Sequence, residues 1–133
     1  MDHLKLRELG IPGSLPDFNL ERGKTALMII DVYLRSVDRR YGFGARAKEL
    51  GIEEELEPYF QRVESQVIPN LAELLKRCRE KKIDIAHVKV GTQTLDGRDA
   101  GWRYKGWKMF ASLKKEMEIA EPLRPIEGEI VVS

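Results

Sequence analysis

Residues 25–31 read Thr-Ala-Leu-Met-Ile-Ile-Asp, and this stretch decides the predicted fold. All positions between Thr25 and Asp31 are apolar, with no alternation between apolar and polar side chains. A half-exposed strand would alternate, so the pattern predicts a parallel strand inside a sheet, with both of its faces buried. Ala26–Ile30 is also the longest unbroken apolar run, and it is far too short to cross a bilayer.

The rest of the sequence predicts two further strands with helices between them. Residues 83–90 and 129–133 have strand character, and short helices are predicted over 45–50, ended by Gly51, and over 112–119. A longer helix is predicted from apolar residues spaced three and four apart, with Pro69 either kinking it or starting a second helix: Phe60, Val63, Val67, Leu71, Leu74 and Cys78. Strands that alternate with helices predict an α/β fold, with a three-layer, open parallel sheet.

Right-handed crossovers would arrange the three predicted strands side by side in the order 3-2-1. This order is half of a doubly wound sheet, and it leaves the first strand without a partner on its outer side. An unpaired apolar edge promotes aggregation. We therefore expect another chain or an unusual rearrangement to cover this edge.

Length and charge set the class of protein. The chain has 133 residues, and its 23 Lys+Arg against 22 Asp+Glu give a net charge of +1. We expect a single domain over residues 1–133, opened by an N-terminal arm over 1–24 that is rich in Gly and Pro. Balanced charge, a polar N-terminus and a single cysteine indicate a cytoplasmic protein with no nucleic-acid or membrane partner.

Asp31 is the first candidate for chemistry. Ligands of open α/β sheets bind at the carboxyl ends of the strands, near the point where the winding reverses. Asp31 ends such a strand and could act as a general base. An aspartate in this position could equally cap the following turn with its side chain.

Cys78 is the second candidate, since Arg77 and Arg79 could lower the pKa of its thiol. It belongs, however, to the apolar stripe of the long helix, which predicts burial as a small hydrophobic residue. It also lies near the amino edge of the sheet. The length of a five-residue strand, roughly 16 Å, separates that edge from Asp31.

Other patterns carry less weight. The glycine pattern of residues 42–47 fits a dinucleotide loop on paper, but ten residues separate it from the preceding strand. His87 alternates with Ile83 and Ile85 on one strand face and lacks a second ligand at metal spacing, so we interpret it as structural. The aromatic cluster around Trp102 and Trp107 could line a pocket or an oligomer contact, or cover the sheet as core.

Three stretches resemble the isochorismatase-like cysteine hydrolases, a superfamily that includes nicotinamidases and the N-carbamoylsarcosine and ureidoacrylate amidohydrolases. Residues 25–31 look like the first strand of the family with its terminal catalytic aspartate, and residues 67–88 like its first long helix and second strand. Residues 125–133 look like the strand that leads to the catalytic lysine of the family. Residues 32–36 depart from the family pattern.

The resemblance implies a Rossmann-like fold, with these three strands belonging to a sheet that normally has six. It also implies an Asp-Lys-Cys triad in which cysteine attacks an amide carbon and aspartate takes its proton. Asp31 maps onto the aspartate, whereas the lysine would follow Ser133 and the cysteine would come later still. Residues 91–101 contain no histidine, which favours the branch that uses no metal and no cofactor and acts on carbamoyl or ureido amides.

Two functions follow as expectations. The first is the N-terminal part of a hydrolase for a small amide or carbamoyl substrate, inactive as this chain alone and assembled as a homo-oligomer. Asp31 is the catalytic residue in this reading, and Tyr33, Trp102 and Trp107 are the residues expected in the substrate pocket. The second is a shortened, non-catalytic relative that acts as a binding or assembly module.

Overall fold

A computed structural model describes residues 20–21, 23–94, 96–102 and 115–133. Its centre is a parallel sheet of three strands, β1 (Ala26–Ile30), β2 (Asp84–Val88) and β3 (Ile130–Val132). The strands lie in the order β1-β2-β3, so the predicted order and direction of the strands are confirmed. The chain therefore has a small α/β fold with a parallel sheet.

Four α-helices precede β2 or lead into it: α1 (Leu34–Val37), α2 (Gly42–Leu50), α3 (Glu53–Arg62) and α4 (Ile68–Glu80). A π-helical segment, Val63–Val67, joins α3 to α4 without a break. Pro69 lies in the first turn of α4, but the backbone before it is already helical, with Val67 and Ile68 in the right-handed helical region. The helix therefore continues through Pro69 after a π-helical turn, rather than beginning again there.

The predicted helix over 45–50 begins earlier than expected. Gly42 and Gly44, which we expected to interrupt the chain, form the first turn of α2, and Gly51 ends the helix in the left-handed conformation with φ of 68°. A Cβ on Gly44 would lie 2.1 Å from the carbonyl oxygen of Arg39. The glycine is therefore needed for the close approach of this helix to the preceding turn.

The predicted helix over 112–119 is wrong where the structure describes it. Lys115–Met117 forms a single 3-10 turn, and Ile119 pairs with Tyr33 in an isolated antiparallel bridge. A second 3-10 turn, Glu121–Leu123, leads toward β3. Residues 112–114, and the N-terminal arm except for residues 20, 21, 23 and 24, lie outside the described residues.

One face of the sheet forms the core. Ile29 of β1 and Ile85 of β2 pack with Leu75 and Cys78 of α4, and Leu123 completes the cluster. Leu75 and Leu123 have no exposed surface. Of the apolar stripe predicted for the long helix, Cys78 belongs to this cluster and Leu71 packs against it, whereas Leu74 is 42% exposed and Leu75 is buried in its place.

The other face of the sheet is exposed, so the prediction that both faces are buried is wrong. Met28 and Ile30 of β1 are 58% and 56% exposed, and Ile130 and Val132 of β3 are 58% and 50% exposed. Within the described residues β1 pairs only with β2, so its outer edge is unpaired. An apolar face and an apolar edge are therefore exposed together.

Candidate functional site

Asp31 lies at the carboxyl edge of the sheet, where the sequence predicted it. Its backbone N–H donates a 2.8 Å hydrogen bond to the carbonyl oxygen of Val88, which extends the pairing of β1 and β2 by one residue. Its own carbonyl oxygen accepts a 2.8 Å hydrogen bond from the Ser36 hydroxyl. The residue is thus fixed from both sides through its main chain.

The Asp31 backbone is left-handed, with φ of 61°. This region costs energy for residues with a side chain, and aspartate and asparagine enter it occasionally, more often than most others. The residue is exposed, and its carboxylate has no hydrogen-bond partner in the part of the chain that the structure describes. The side-chain cap that we left open is therefore not formed, and the carboxylate oxygens are available to a ligand.

The ends of the other two strands lie at the same edge. Lys89 follows β2, and its N–H donates a 2.9 Å hydrogen bond to the carbonyl oxygen of Val132 in β3. Its Nζ donates a 3.2 Å hydrogen bond to the carbonyl oxygen of Met117. The amide of Gln93 reaches Ser133, donating to its carbonyl oxygen at 3.3 Å. The segment after β2 therefore borders this edge.

Asp99 organises that segment. Its carboxylate accepts hydrogen bonds from the Thr94 hydroxyl and from the backbone N–H of Gln93, the latter at 2.6 Å. These donors lower the pKa of Asp99 to about 2, because they stabilise the ionised carboxylate. Asp99 thus holds together the two ends of the segment that follows β2, by binding Gln93 and Thr94.

The three residues expected in the substrate pocket lie in different settings. Tyr33 is 7% exposed and packs with Met117. Trp102 is 87% exposed at the end of a described stretch, and Trp107 lies outside the described residues. Tyr33 follows Asp31 by two positions in the sequence but is buried in a cluster of its own, and no described contact joins Trp102 to that edge.

Cys78 belongs to the core, as predicted. It is 7% exposed, and its carbonyl oxygen accepts a 2.9 Å hydrogen bond from the N–H of Ile83, just before β2 begins. It is therefore at the amino edge of the sheet, the end opposite Asp31. The two side chains cannot act on one substrate.

His87 takes part in a buried polar cluster that the sequence did not reveal. Its Nε2 lies 3.1 Å from an Oε2 of Glu129, whose carboxylate also accepts hydrogen bonds from Arg79 at 2.7 and 3.0 Å. The guanidinium of Arg79 is the main cause that lowers the pKa of Glu129 to about 2. Nε2 of His87 has the structural role that we expected, while its Nδ1 is buried and has no hydrogen-bond partner among the described residues. Because these residues are 42 and 50 positions apart in sequence, no local pattern joins them.

Within the described residues, no three side chains of the His, Cys, Asp and Glu types are grouped so that they could hold a metal ion. No helix in that part of the chain is both long and apolar enough to span a membrane. The chain matches no protein-family profile, and no curated protein is significantly similar to it in sequence.

Proposed function

We propose that this chain is the N-terminal part of an isochorismatase-like cysteine hydrolase that acts on a small amide or carbamoyl substrate. The observation that carries the proposal is Asp31, an exposed carboxylate without a partner in the described chain, at the carboxyl end of β1 on a left-handed backbone. Strained backbone of this kind is found preferentially at functional sites. The proposal includes the finer architecture, a three-layer Rossmann-like sheet of six strands.

The proposed chemistry gives Asp31 the role of general base. Its carboxylate would accept the proton of a cysteine thiol, and the resulting thiolate would attack the carbonyl carbon of the amide. The C–N bond would then break, the amine would leave with that proton, and water would hydrolyse the thioester to release the acid and restore the thiol. A lysine would stabilise the negative charges. Because residues 1–133 hold no lysine or cysteine at the matching positions, and Cys78 lies in the core, the chain alone is proposed to be inactive.

A second candidate function is a non-catalytic binding or assembly module of the same family. The observation that favours it is the apolar surface of the sheet, where Met28, Ile30 and Ile130 are each more than half exposed. Exposed apolar patches of this kind mark interaction surfaces. In this reading the surface binds another protein or a second copy of the chain.

The coding frame beyond Ser133 distinguishes the two. If it continues with a lysine and then a cysteine after a further strand, its whole product should hydrolyse N-carbamoylsarcosine or ureidoacrylate in a thiol-dependent manner. Asp31→Asn should abolish that activity, while Asp84→Asn, at the opposite edge, should keep it. A stop codon after Ser133 would contradict the hydrolase and favour the module, whereas turnover by the whole product that survives Asp31→Asn would contradict the role of Asp31 as general base.

A further inference from the structure

Lys89 occupies the position next to Asp31 at the carboxyl edge of the sheet. Ile30 of β1 is in register with Val88 of β2, and Asp31 and Lys89 are the residues that follow them. The N–H of Asp31 donates a 2.8 Å hydrogen bond to the carbonyl oxygen of Val88, so the register continues to this point. Neighbouring strands lie about 4.8 Å apart. The main-chain positions of a carboxylate and an ammonium are therefore adjacent on one edge.

The Lys89 side chain has no acidic partner in the described chain, and Asp31 does not form an ion pair with it. Lys89 is half-buried, and its Nζ donates a 3.2 Å hydrogen bond to the carbonyl oxygen of Met117, a neutral acceptor. The two glutamates beside Met117 already form ion pairs with other cations: Glu116–Arg35 and Glu118–Lys115. The Lys89 ammonium thus keeps an uncompensated charge and has donors left for a ligand.

The acceptor that holds Lys89 is itself fixed in place. Met117 is 3% exposed and packs with Tyr33. The N–H of Leu34 donates a 2.9 Å hydrogen bond to the carbonyl oxygen of Glu118, which joins the turn around Met117 to the segment that follows β1. The ammonium is therefore held at this edge before any ligand binds.

We propose that Lys89 binds the carboxylate of the substrate and so selects amide or carbamoyl compounds that carry a carboxylate. This inference rests on the proposed function, in which the amide is cleaved beside Asp31. A hydrogen bond between an ammonium and a carboxylate is stronger than one to a neutral oxygen, so such a ligand fits Lys89 better than a neutral amide does. Because the two residues follow adjacent strands, a small molecule is long enough to contact both.

A matched pair of ligands tests the proposal on the whole chain. N-carbamoylglycine carries a carboxylate, and N-carbamoylglycinamide has a neutral amide in its place. Nuclear magnetic resonance of the isotopically labelled chain measures the affinity for each ligand from the shifts of the backbone amide signals. We expect N-carbamoylglycine to bind about tenfold more tightly, because hydrogen bonds between charged groups are the stronger ones.

Substitutions assign this preference to Lys89. Lys89→Met should make the two ligands bind equally, since methionine keeps most of the aliphatic chain and removes the charge. Lys89→Arg should retain the preference, because a guanidinium also binds carboxylates as a cation. Lys81→Met, at an exposed lysine that follows α4 at the opposite edge of the sheet, should leave the preference unchanged. The amide spectrum of each variant verifies that it is folded.

Equal affinities of the unchanged chain for the two ligands would overturn the proposal. A preference that survives Lys89→Met, or one that Lys81→Met removes, would overturn it as well. The absence of saturable binding of either ligand would contradict both this proposal and the substrate site at Asp31.

Other results separate the two. If both ligands bind equally and Asp31→Asn abolishes their binding, the substrate site stands and the selection by Lys89 is wrong. If the preference depends on Lys89 while Asp31→Asn changes neither affinity, Lys89 binds carboxylates at this edge and the role of Asp31 is wrong.

Discussion

Two carboxylates at opposite edges of the sheet have opposite surroundings. Asp31 follows β1 and presents an exposed carboxylate that has no partner in the described chain. Glu129 precedes β3, and its side chain is only 8% exposed, bound by Arg79, His87 and the N–H of Ile126. Glu129 therefore stabilises the fold by joining α4, β2 and the approach to β3, whereas Asp31 is available for binding.

Glu129 should make stability depend on pH in the acid range. Its pKa is lowered from its ordinary 4.5 to about 2 in the folded protein, chiefly by Arg79. Its stabilisation is therefore complete above pH 4.5 and is lost as pH falls toward 2. Glu129→Gln should lower the free energy of unfolding at pH 7 by about 2–4 kcal/mol and flatten this acid dependence. Urea denaturation at pH values between about 3 and 7 measures both effects.

Glu127 provides the matched control for that measurement. It is an exposed glutamate in the same turn, two residues before Glu129. Glu127→Gln should leave the free energy of unfolding and its pH dependence close to those of the unchanged chain. A Glu129→Gln variant as stable as Glu127→Gln at pH 7 would show that the cluster contributes nothing.

At the scale of the elements, hydrophobic patterns predicted most of what forms. The strands at 26–30, 84–88 and 130–132 and the stop at Gly51 follow from local apolar runs and turn chemistry. The start of α2 does not follow from the sequence, because Gly42 and Gly44 predict an interruption of the helix unless the close approach to Arg39 is known. The start of α2 depends on a backbone contact between Gly44 and the preceding turn, and the spacing of residues in the sequence does not reveal such a contact.

Gly44 should resist replacement by alanine. Inside an exposed helix this change would stabilise the chain by about 1 kcal/mol. Here the added Cβ would lie 2.1 Å from the Arg39 carbonyl oxygen, a backbone atom, so we expect a loss of about 1–3 kcal/mol. Thermal or urea unfolding measures the sign. Gly101→Ala, where no atom lies within 4 Å of the added Cβ, is the control and should be nearly neutral. A stabilised Gly44→Ala variant would contradict the packing of α2.

At the scale of the whole molecule, the sequence located Asp31 but misjudged what covers the sheet. The carboxyl ends of parallel strands share one edge, so an aspartate after β1 had to lie there. The apolar composition of β1 is the same whether its second face is covered by this chain or by another surface. The burial of Tyr33 against Met117 was equally beyond prediction, because 84 residues separate them along the chain.

The exposed sheet face should make the chain self-associate. Ile30 and Ile130 lie on the uncovered side and are 56% and 58% exposed. Sedimentation velocity at increasing concentration should show association of the unchanged chain, and Ile30→Lys with Ile130→Lys should reduce it, because the charges oppose apolar contact. Leu74→Lys, at an exposed leucine of α4, should leave the association intact. A chain that stays monomeric throughout would contradict the prediction.

The most direct test of the central claim is a titration of the isotopically labelled chain with N-carbamoylsarcosine, followed by nuclear magnetic resonance. We predict saturable shifts of the backbone amide signals of Asp31 and Lys89, at the carboxyl edge of the sheet, that Asp31→Asn abolishes and Asp84→Asn preserves. Asparagine keeps the left-handed backbone accessible, so the Asp31 variant removes the charge and retains the turn. Shifts confined to other parts of the chain, or shifts that survive Asp31→Asn, would contradict the assignment of this edge as the substrate site.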